Sequence, residues 1–571
     1  MLIEKKQRKF LPKEFNFTSW NELEVIYQKL LDLSIQTLDD FKTFLLYKSE
    51  LDAFIEENAA WRYIKMTIDT QNKEFSDAYT FFITEIQPKL SPFEDLLNKK
   101  LLTFQSFIEE LSNDKGYSIY FRLCKIAVDL FREENIPIEA EINQLTQQYG
   151  AINGAQSIHY QGKDWTLQQA SLFLKDKKEE LRKEVFELIS ERRKKDRVAL
   201  DDLMNQLIEK RHVLALNAGF ENFREYKFVA MGRFDYSVKD CLDFHLSIQK
   251  HIVPLSREIQ QKQANKLGKK LLKPWDTEVD PINEHPLKPF TDGKELFEKT
   301  KLLFGEMDTF FEECVALLGD LNHIDLESKK GKAPGGYNYP LYESGVPFIF
   351  MNAVGSQRDL TTMVHESGHA IHSILSHSLH LTGFKNLPSE IAEVASMSME
   401  LMSMDYWHVF YTNEKDLNRA KKEQLESIIS VLPWIACVDE FQHWIYLHPK
   451  QTNEDRKNAW TEIQLKFSTG SVDWTEYEDI KSFAWQKQLH IFEVPFYYIE
   501  YGFAQLAALS IWKNFKENKE KTLQQYKDCL SLGYTKSLPE LYQIAGVFFD
   551  FSENYVKELS QFLWKELKKL D

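Results

Sequence analysis

Two histidines four residues apart, with a glutamate directly after the first, are the residues of this chain whose types and spacing most plainly imply chemistry: His365-Glu366-Ser367-Gly368-His369. On an α-helix, residues i and i+4 lie only about 40° apart around the axis, so both imidazoles project from one face toward one point. Two neutral ring nitrogens at about 2.0–2.1 Å suit Zn²⁺, and one such ion per chain is expected. Glu366 lies to the side of that face. From there its carboxylate reaches a water polarised by the metal without binding the metal itself, which is the position of a general base. With 15 His in 571 residues, this spacing would arise by chance roughly 0.03–0.04 times.

A catalytic zinc site needs a third protein ligand and an open fourth position. His372 shares the histidine face but lies two turns from His365, a stretched geometry for a third ligand. A third histidine six residues after His369, with Gly between, is absent, because position 372 is His and position 375 is Leu. A downstream carboxylate is the better candidate. The segment Ser389-Glu390-Ile-Ala-Glu393-Val-Ala-Ser-Met-Ser-Met-Glu400 reads as a helix whose Ala and Ser residues permit close packing. Glu393 and Glu400 are seven apart and share a face, and Glu390 is one turn before Glu393. Spacing leaves all three open as ligand, and Glu400 is also suited to orienting a ligand histidine from behind. At Glu390, the first turn of the helix, stabilisation of the helix dipole is the competing role.

A second group of polar side chains capable of hydrogen bonding gathers around Pro495: His490, Tyr497, Tyr498 and Tyr501, ahead of Gly502. Aromatics in such a stretch are often core packing. His377, His380 and His408 are expected to be surface or core residues without a metal.

The elements that must position these residues are mostly helical. The first ~210 residues read as long amphipathic helices, interrupted at 150–165 by a small hairpin turning at Gln161-Gly162. Residues 266–293, with Pro274, Pro281, Pro286 and Pro289, break the helical period and predict a surface loop. Helix resumes over 294–320. Residues 329–354 are the least helical part, and the alternation Tyr337, Tyr339, Leu341, a turn at 343–345 and the apolar run 346–351 predict two antiparallel strands. The HExxH helix is expected to be capped by Asp359. From there onward helix is expected except for a loop near 381–388 and the aromatic stretch 490–503.

Composition limits the function classes. Gly 21 and Pro 17 are low for 571 residues, and hydrophobic residues make up 43%, enough for a sizeable core and too many for general disorder. A formal net charge of −16 argues against nucleic acid as a partner. The run 191–197 mixes acidic with basic residues and reads as a solvated helix face. Five well-separated cysteines form no CxxC pair and read as core residues. With no apolar run long enough for a membrane span, no membrane partner is expected. The N-terminal stretch is basic without an apolar segment behind it, which predicts a cytoplasmic protein.

The segments HESGHAIHS at 365–373 and SEIAEVASMSMEL at 389–401 resemble the thimet oligopeptidase and oligoendopeptidase F family of zinc metallopeptidases. Further similarity lies at YKFVAMGRFDYS (226–237), GKAPGGY (331–337) and HIFEVPFYYIEYG (490–502), and points to the oligoendopeptidase F and PZ-peptidase branch. The resemblance implies a mainly α fold, a two-lobed helical ellipsoid with a deep central channel and a small antiparallel β element beside the zinc. On that basis 1–210 form an N-terminal helical lobe and 211–571 a catalytic lobe, with the lobes free to interleave. It also implies that Glu393, heading Glu-Val-Ala-Ser 28 residues after His365, is the third ligand beside His365 and His369. Glu366 is then the base. His490 and Tyr501, with Tyr497 in the FYxxxY pattern, would hydrogen-bond substrate and oxyanion, although Phe492-Glu-Val-Pro495 replaces the Gly-rich loop of the thimet pattern. The edge of the strand pair would hold substrate in extended form. The expected activity is cleavage of internal bonds of oligopeptides. The same zinc machinery would serve an exopeptidase, and a non-catalytic peptide-binding protein is the alternative of a different class. The latter conflicts with HExxH, because structural zinc sites fill all four positions with protein ligands. Subunit number has no marker in the sequence.

Overall fold

The strand beneath the metal motif is the run Phe348–Ala353, in which only Asn352 escapes full burial. In the computed structural model, which describes residue 3 and residues 7–282 and 285–571, helices dominate and strands form two small sheets. The first sheet is the hairpin β1 (Ser157–Tyr160) and β2 (Lys163–Thr166). Its two-residue turn has positive φ at Gln161 (52°) and Gly162 (75°), the conformation that matches the natural twist of paired strands. Ile158 and Tyr160 bury against Ala170, Val185 and Ile189.

The second sheet contains β3 (Ile324–Glu327), β4 (Tyr337–Tyr339) and β5 (Phe348–Ala353) in the order β3-β5-β4. β4 and β5 are antiparallel with Tyr337 opposite Phe350 and Tyr339 opposite Phe348, as the alternation predicts. β3, parallel to β5 with a bulge between Asp325 and Glu327, is not anticipated by the sequence reading. It is four residues long with two of them acidic, too short for a period of two to stand out. Phe348 and Phe350 pack with Ala60, Ile64 and Leu341.

The chain divides into two compact units. One comprises Met1–Phe131, Leu287–Lys421 and Ala504–Phe549; the other comprises Arg132–Pro286, Lys422–Phe503 and Asp550–Asp571. In the first unit, the helix Leu38–Ile68 starts from a capping box between Thr37 and Asp40. It buries Phe41, Phe44, Leu45, Leu51 and Phe54 in a core that also takes Phe10, Leu23, Tyr27, Leu381 and Phe384. All five cysteines are buried and none is in a disulfide. Among the described residues, no helix is long and apolar enough to cross a membrane.

Local expectations need four corrections. The proline-rich span 266–293 does not simply cross the surface. Its short helical turn Pro274–Asp276 is buried, and Asp276 Oδ1 takes a 2.6 Å bond from Arg182 while Oδ2 takes another from Lys269; Asn283 and Glu284 lie outside the described residues. The span 381–388 contains the helical turn Thr382–Lys385. In the aromatic stretch only 494–497 is non-helical, between the helices Leu489–Glu493 and Tyr498–Glu517. Finally, Asp359 is not the cap of the HExxH helix, Gln357–Ser376, but its third residue. Ser356 is the cap. Its hydroxyl accepts the Asp359 N–H at 3.3 Å, and Asp359 Oδ2 accepts the Ser356 N–H at 2.9 Å. Both residue types cap well, and the reciprocal box uses both. Ser356→Ala is expected to lower stability by about 1 kcal/mol, read as a shift in urea midpoint; an unchanged midpoint would mean that Asp359 secures the helix end alone.

Candidate active site

The geometry of the site starts from two helices of the first unit and the space between their backbones. Gly368 of the helix Gln357–Ser376 faces Ala395 and Ser396 of the helix Ser389–Met402. A Cβ at Gly368 would sit 2.7 Å from the Ser396 Cα and 2.8 Å from the Ala395 carbonyl oxygen, closer than real carbon contacts allow. Small residues on both sides are therefore what permits the approach. Tyr526 fixes the second helix by donating from its hydroxyl to the Ala395 carbonyl at 2.7 Å. Tyr542 does the same at the Glu390 carbonyl, at 3.2 Å.

That approach brings the predicted residues together. Glu393 Oε2 lies 3.5 Å from His365 Nε2 and 3.8 Å from His369 Nε2. These separations are too long for hydrogen bonds and near the roughly 3.3–3.4 Å between neighbouring ligands of a tetrahedral ion with bonds of about 2.0–2.1 Å. The two imidazole rings cross at 84° with centroids 4.9 Å apart. His365 Nδ1 donates to Glu400 Oε1 at 2.6 Å, the His369 ring bonds the Ala392 carbonyl, and the Ser396 hydroxyl donates to Glu393 Oε2 at 3.0 Å. With His365 Nδ1 tied behind, its Nε2 is turned forward, which is how a histidine is prepared to hold a metal. His365, His369 and Glu393 offer three donor atoms within 4.8 Å of one another, so this donor set fits Zn²⁺. Glu390 is buried in the first turn of its helix. His372 is buried without a hydrogen bond, and burial pushes its imidazole down to about 3, so it packs as a neutral ring. His380 accepts or donates at Tyr117, His408 pairs with Glu306, and His377 packs beneath Gly345.

Charge at the site is tightly balanced. Burial alone would lower the His365 imidazolium, but the hydrogen bond and charge of Glu400, with Glu393 and Glu366 nearby, hold it up at about 10. Burial and the positive His365 hold His369 well below its ordinary value. Burial raises the Glu366 carboxyl to about 7, with His365 and a hydrogen bond from the Asn338 N–H acting against it. Asn338 is in β4, an edge strand of its sheet. Its backbone contact, like the contribution of Gly368, is a feature sequence reasoning misses; the GGY segment before β4 and the Gly inside HExGH are the only local signals.

His490, Tyr497, Tyr498 and Tyr501 meet one another in the second unit. The His490 ring is 6.1 Å from Tyr497, 4.7 Å from Tyr498 and 5.8 Å from Tyr501, centroid to centroid. Gln488 Nε2 donates to His490 Nδ1 at 2.7 Å, so the neutral ring carries its proton on Nε2. The bend before Tyr497 has positive φ at Phe496 (67°). It is held by Gln442, which accepts the Phe496 N–H at 2.6 Å, and by Arg233, which donates to the Phe496 carbonyl and pairs with buried Glu500 at 2.8 Å. Arg233 comes from the segment 226–237 singled out in the sequence.

A model of peptidase family M3 matches residues 172–561, and one of the peptidase M3 N-terminal domain matches residues 10–131. The chain belongs to peptidase family M3. It is 23% identical to an oligoendopeptidase F homolog of Borreliella burgdorferi over 89% of this chain and 87% of that protein. A homolog of the same description from Mycoplasma pneumoniae is 23% identical over 93% of this chain and 91% of its own. Among solved structures, PZ peptidase A with an inhibitor superimposes with a TM-score of 0.90 at 26% identity, covering 99% of this chain and 100% of that one. The mainly helical fold and the family resemblance both hold, and the chain is a peptidase of the M3 type. Gly368→Ala is expected to force the two helices apart, at about 1–3 kcal/mol, and to weaken divalent-metal binding at least tenfold in a chelator competition. Unchanged affinity would show that the site tolerates a wider helix separation.

Proposed function

We propose that this M3 peptidase is a zinc-dependent endopeptidase that hydrolyses internal bonds of short oligopeptides. The observation that carries the reading is the convergence of His365, His369 and Glu393 beside a buried Glu366 raised to about 7. The descriptions of its relatives as oligoendopeptidase F support the substrate size and the internal cut.

In this reading His365, His369 and Glu393 hold the ion, and Glu400 fixes the ring of His365. A zinc ion there supplies Lewis acidity to the attacking water and to the scissile carbonyl. Glu366, ionised and aimed by the Asn338 N–H, takes a proton from the attacking water and delivers it to the leaving amine. An extended peptide laid along the edge of β4 would bring its backbone beside Glu366, main chain pairing with main chain. The family resemblance assigns His490, Tyr501 and Tyr497 the role of donors to the negative charge that develops on the carbonyl oxygen, worth about 3–4 kcal/mol per donor.

The deciding assay uses an internally quenched peptide of about ten residues, the size class the resemblance implies, blocked at both ends. Chelator-sensitive cleavage at an internal bond, located by mass, is expected. Cleavage only after a terminus is unblocked would make the enzyme an exopeptidase, and binding without cleavage would make it a peptide carrier. Glu366→Gln should retain zinc while lowering kcat by at least a thousandfold; substantial remaining turnover would remove Glu366 from the role of base.

The base works only when ionised, so kcat/KM should fall as pH drops through the Glu366 pKa, which is about 7 before the charge of the ion is added. A bound cation favours the carboxylate, so the acid limb is expected below 7. A profile flat from pH 4 to 8 would contradict this assignment.

A further inference from the structure

The second unit contains a buried cluster of donor side chains that the peptidase chemistry does not use. Cys241 and His245 lie one turn apart on the helix Val238–His251, and Asp439 and His443 lie one turn apart on the helix Glu414–Leu447. Each pair therefore presents two side chains on one helical face. Cys241, Asp439 and His443 each offer a donor atom within 4.8 Å of the other two. Cys241 and Asp439 are 0% exposed, His245 is 2% and His443 is 4%.

The hydrogen bonding of this cluster is incomplete in a telling way. Asp439 Oδ2 pairs with His245 Nε2 at 2.9 Å. His443 Nε2 is 3.2 Å from the same oxygen but poorly aligned with it, and His443 Nδ1, His245 Nδ1 and Asp439 Oδ1 form no hydrogen bond. Buried polar atoms are almost always paired. A ring nitrogen beside a carboxylate but misaligned for a hydrogen bond is the arrangement of two ligands directed at a common third atom. Phe228, Phe467 and Phe496 surround the two rings, so the surroundings offer few other polar partners.

We propose that Cys241, Asp439 and His443 form a second, buried three-ligand metal site, suited to a borderline cation such as Zn²⁺, with His245 orienting the Asp439 carboxylate. One thiolate, one carboxylate and one imidazole are a zinc-type donor set. A thiolate and a carboxylate together balance the charge of a divalent ion, so the loaded cluster is neutral where a lone charge would be costly to bury. The carboxylate with one oxygen held by His245 repeats the outer-shell support seen at metal sites generally. Because the ligands are fully buried, the ion enters as the unit folds and leaves only when it opens. On binding, the Cys241 thiol loses its proton to solvent and no redox change occurs.

The test uses the whole protein and does not depend on peptidase activity. Purified chain from cells grown in cobalt-supplemented medium is examined by absorption and metal analysis. Two metal equivalents per chain are expected, with a near-ultraviolet thiolate-to-cobalt charge-transfer band. Among the described residues the HExxH cluster contains no sulfur donor, so the band reports the second site alone. His365→Ala should lose one equivalent and keep the band; Cys241→Ser should lose one equivalent and the band. A native wild-type protein with at most one equivalent and no band overturns the proposal, as does a band that persists in Cys241→Ser. Should Cys241→Ser fail to fold, the wild-type spectrum decides alone. Native chelator treatment should remove the HExxH ion quickly and the second ion only at the rate of unfolding; equal rates would also overturn it.

Discussion

The distance between two helix backbones at Gly368 is the constraint on which the rest of the M3 site depends. Metal ligation tolerates errors of a few tenths of an ångström, whereas helices packed through ordinary side chains lie 8–10 Å apart at their axes. A carboxylate on one helix reaches two imidazoles on the other only when small residues allow the backbones to touch. Here Gly368 meets Ala395 and Ser396, and candidate metal ligands sit beside that contact: His369 follows Gly368, and Glu393 lies two residues before Ala395. The residues that pack and the residues that could bind metal are therefore adjacent in sequence. The close contact and the donor geometry come from one local feature, with Tyr526 bonded to the Ala395 carbonyl as its brace.

Electrostatics reinforce that geometry. Three glutamates, Glu366, Glu393 and Glu400, surround two imidazoles in ground that excludes most water. Against the effect of burial, Glu400, Glu393 and Glu366 push the His365 imidazolium up to about 10, and burial with Glu393 nearby pushes the Glu366 carboxyl up to about 7. Both shifts run upward, toward the protonated form, and mark a cluster of carboxylates suited to a cation among them. The protein has placed the negative charge in advance, and the cost of burying it is offset elsewhere in the fold.

Much of this site was legible from the chain because it is local. HExxH needs only helical periodicity, Glu400 falls one face-repeat after Glu393, and both readings of the 329–354 region and the 150–165 hairpin rest on alternation and turn residues. Glu393 is a different case: spacing left Glu390, Glu393 and Glu400 open, and the resemblance chose among them. What stayed hidden is long-range. β3 joins β5 across more than twenty residues, the Asn338 contact with Glu366 depends on how the sheet meets the helix, and Arg233 reaches Phe496 and Glu500 from far away in sequence. The Ser356 cap was missed for a smaller reason, since Ser and Asp both signal a helix start and only coordinates show which leads.

The division of the chain has a consequence for synthesis. The core formed by Phe10, Tyr27, Phe41 and Phe44 also contains Leu381 and Phe384, and the same unit is completed by residues up to Phe549. At about 5–20 residues per second, a ribosome needs roughly ten seconds to a minute to travel from residue 131 to those later partners. For that interval the place in the core that Leu381 and Phe384 fill is empty, while the whole of the Arg132–Pro286 segment of the other unit is made. Both units must wait for chain that has not yet been translated. A stall in the middle of translation would therefore leave both units incomplete.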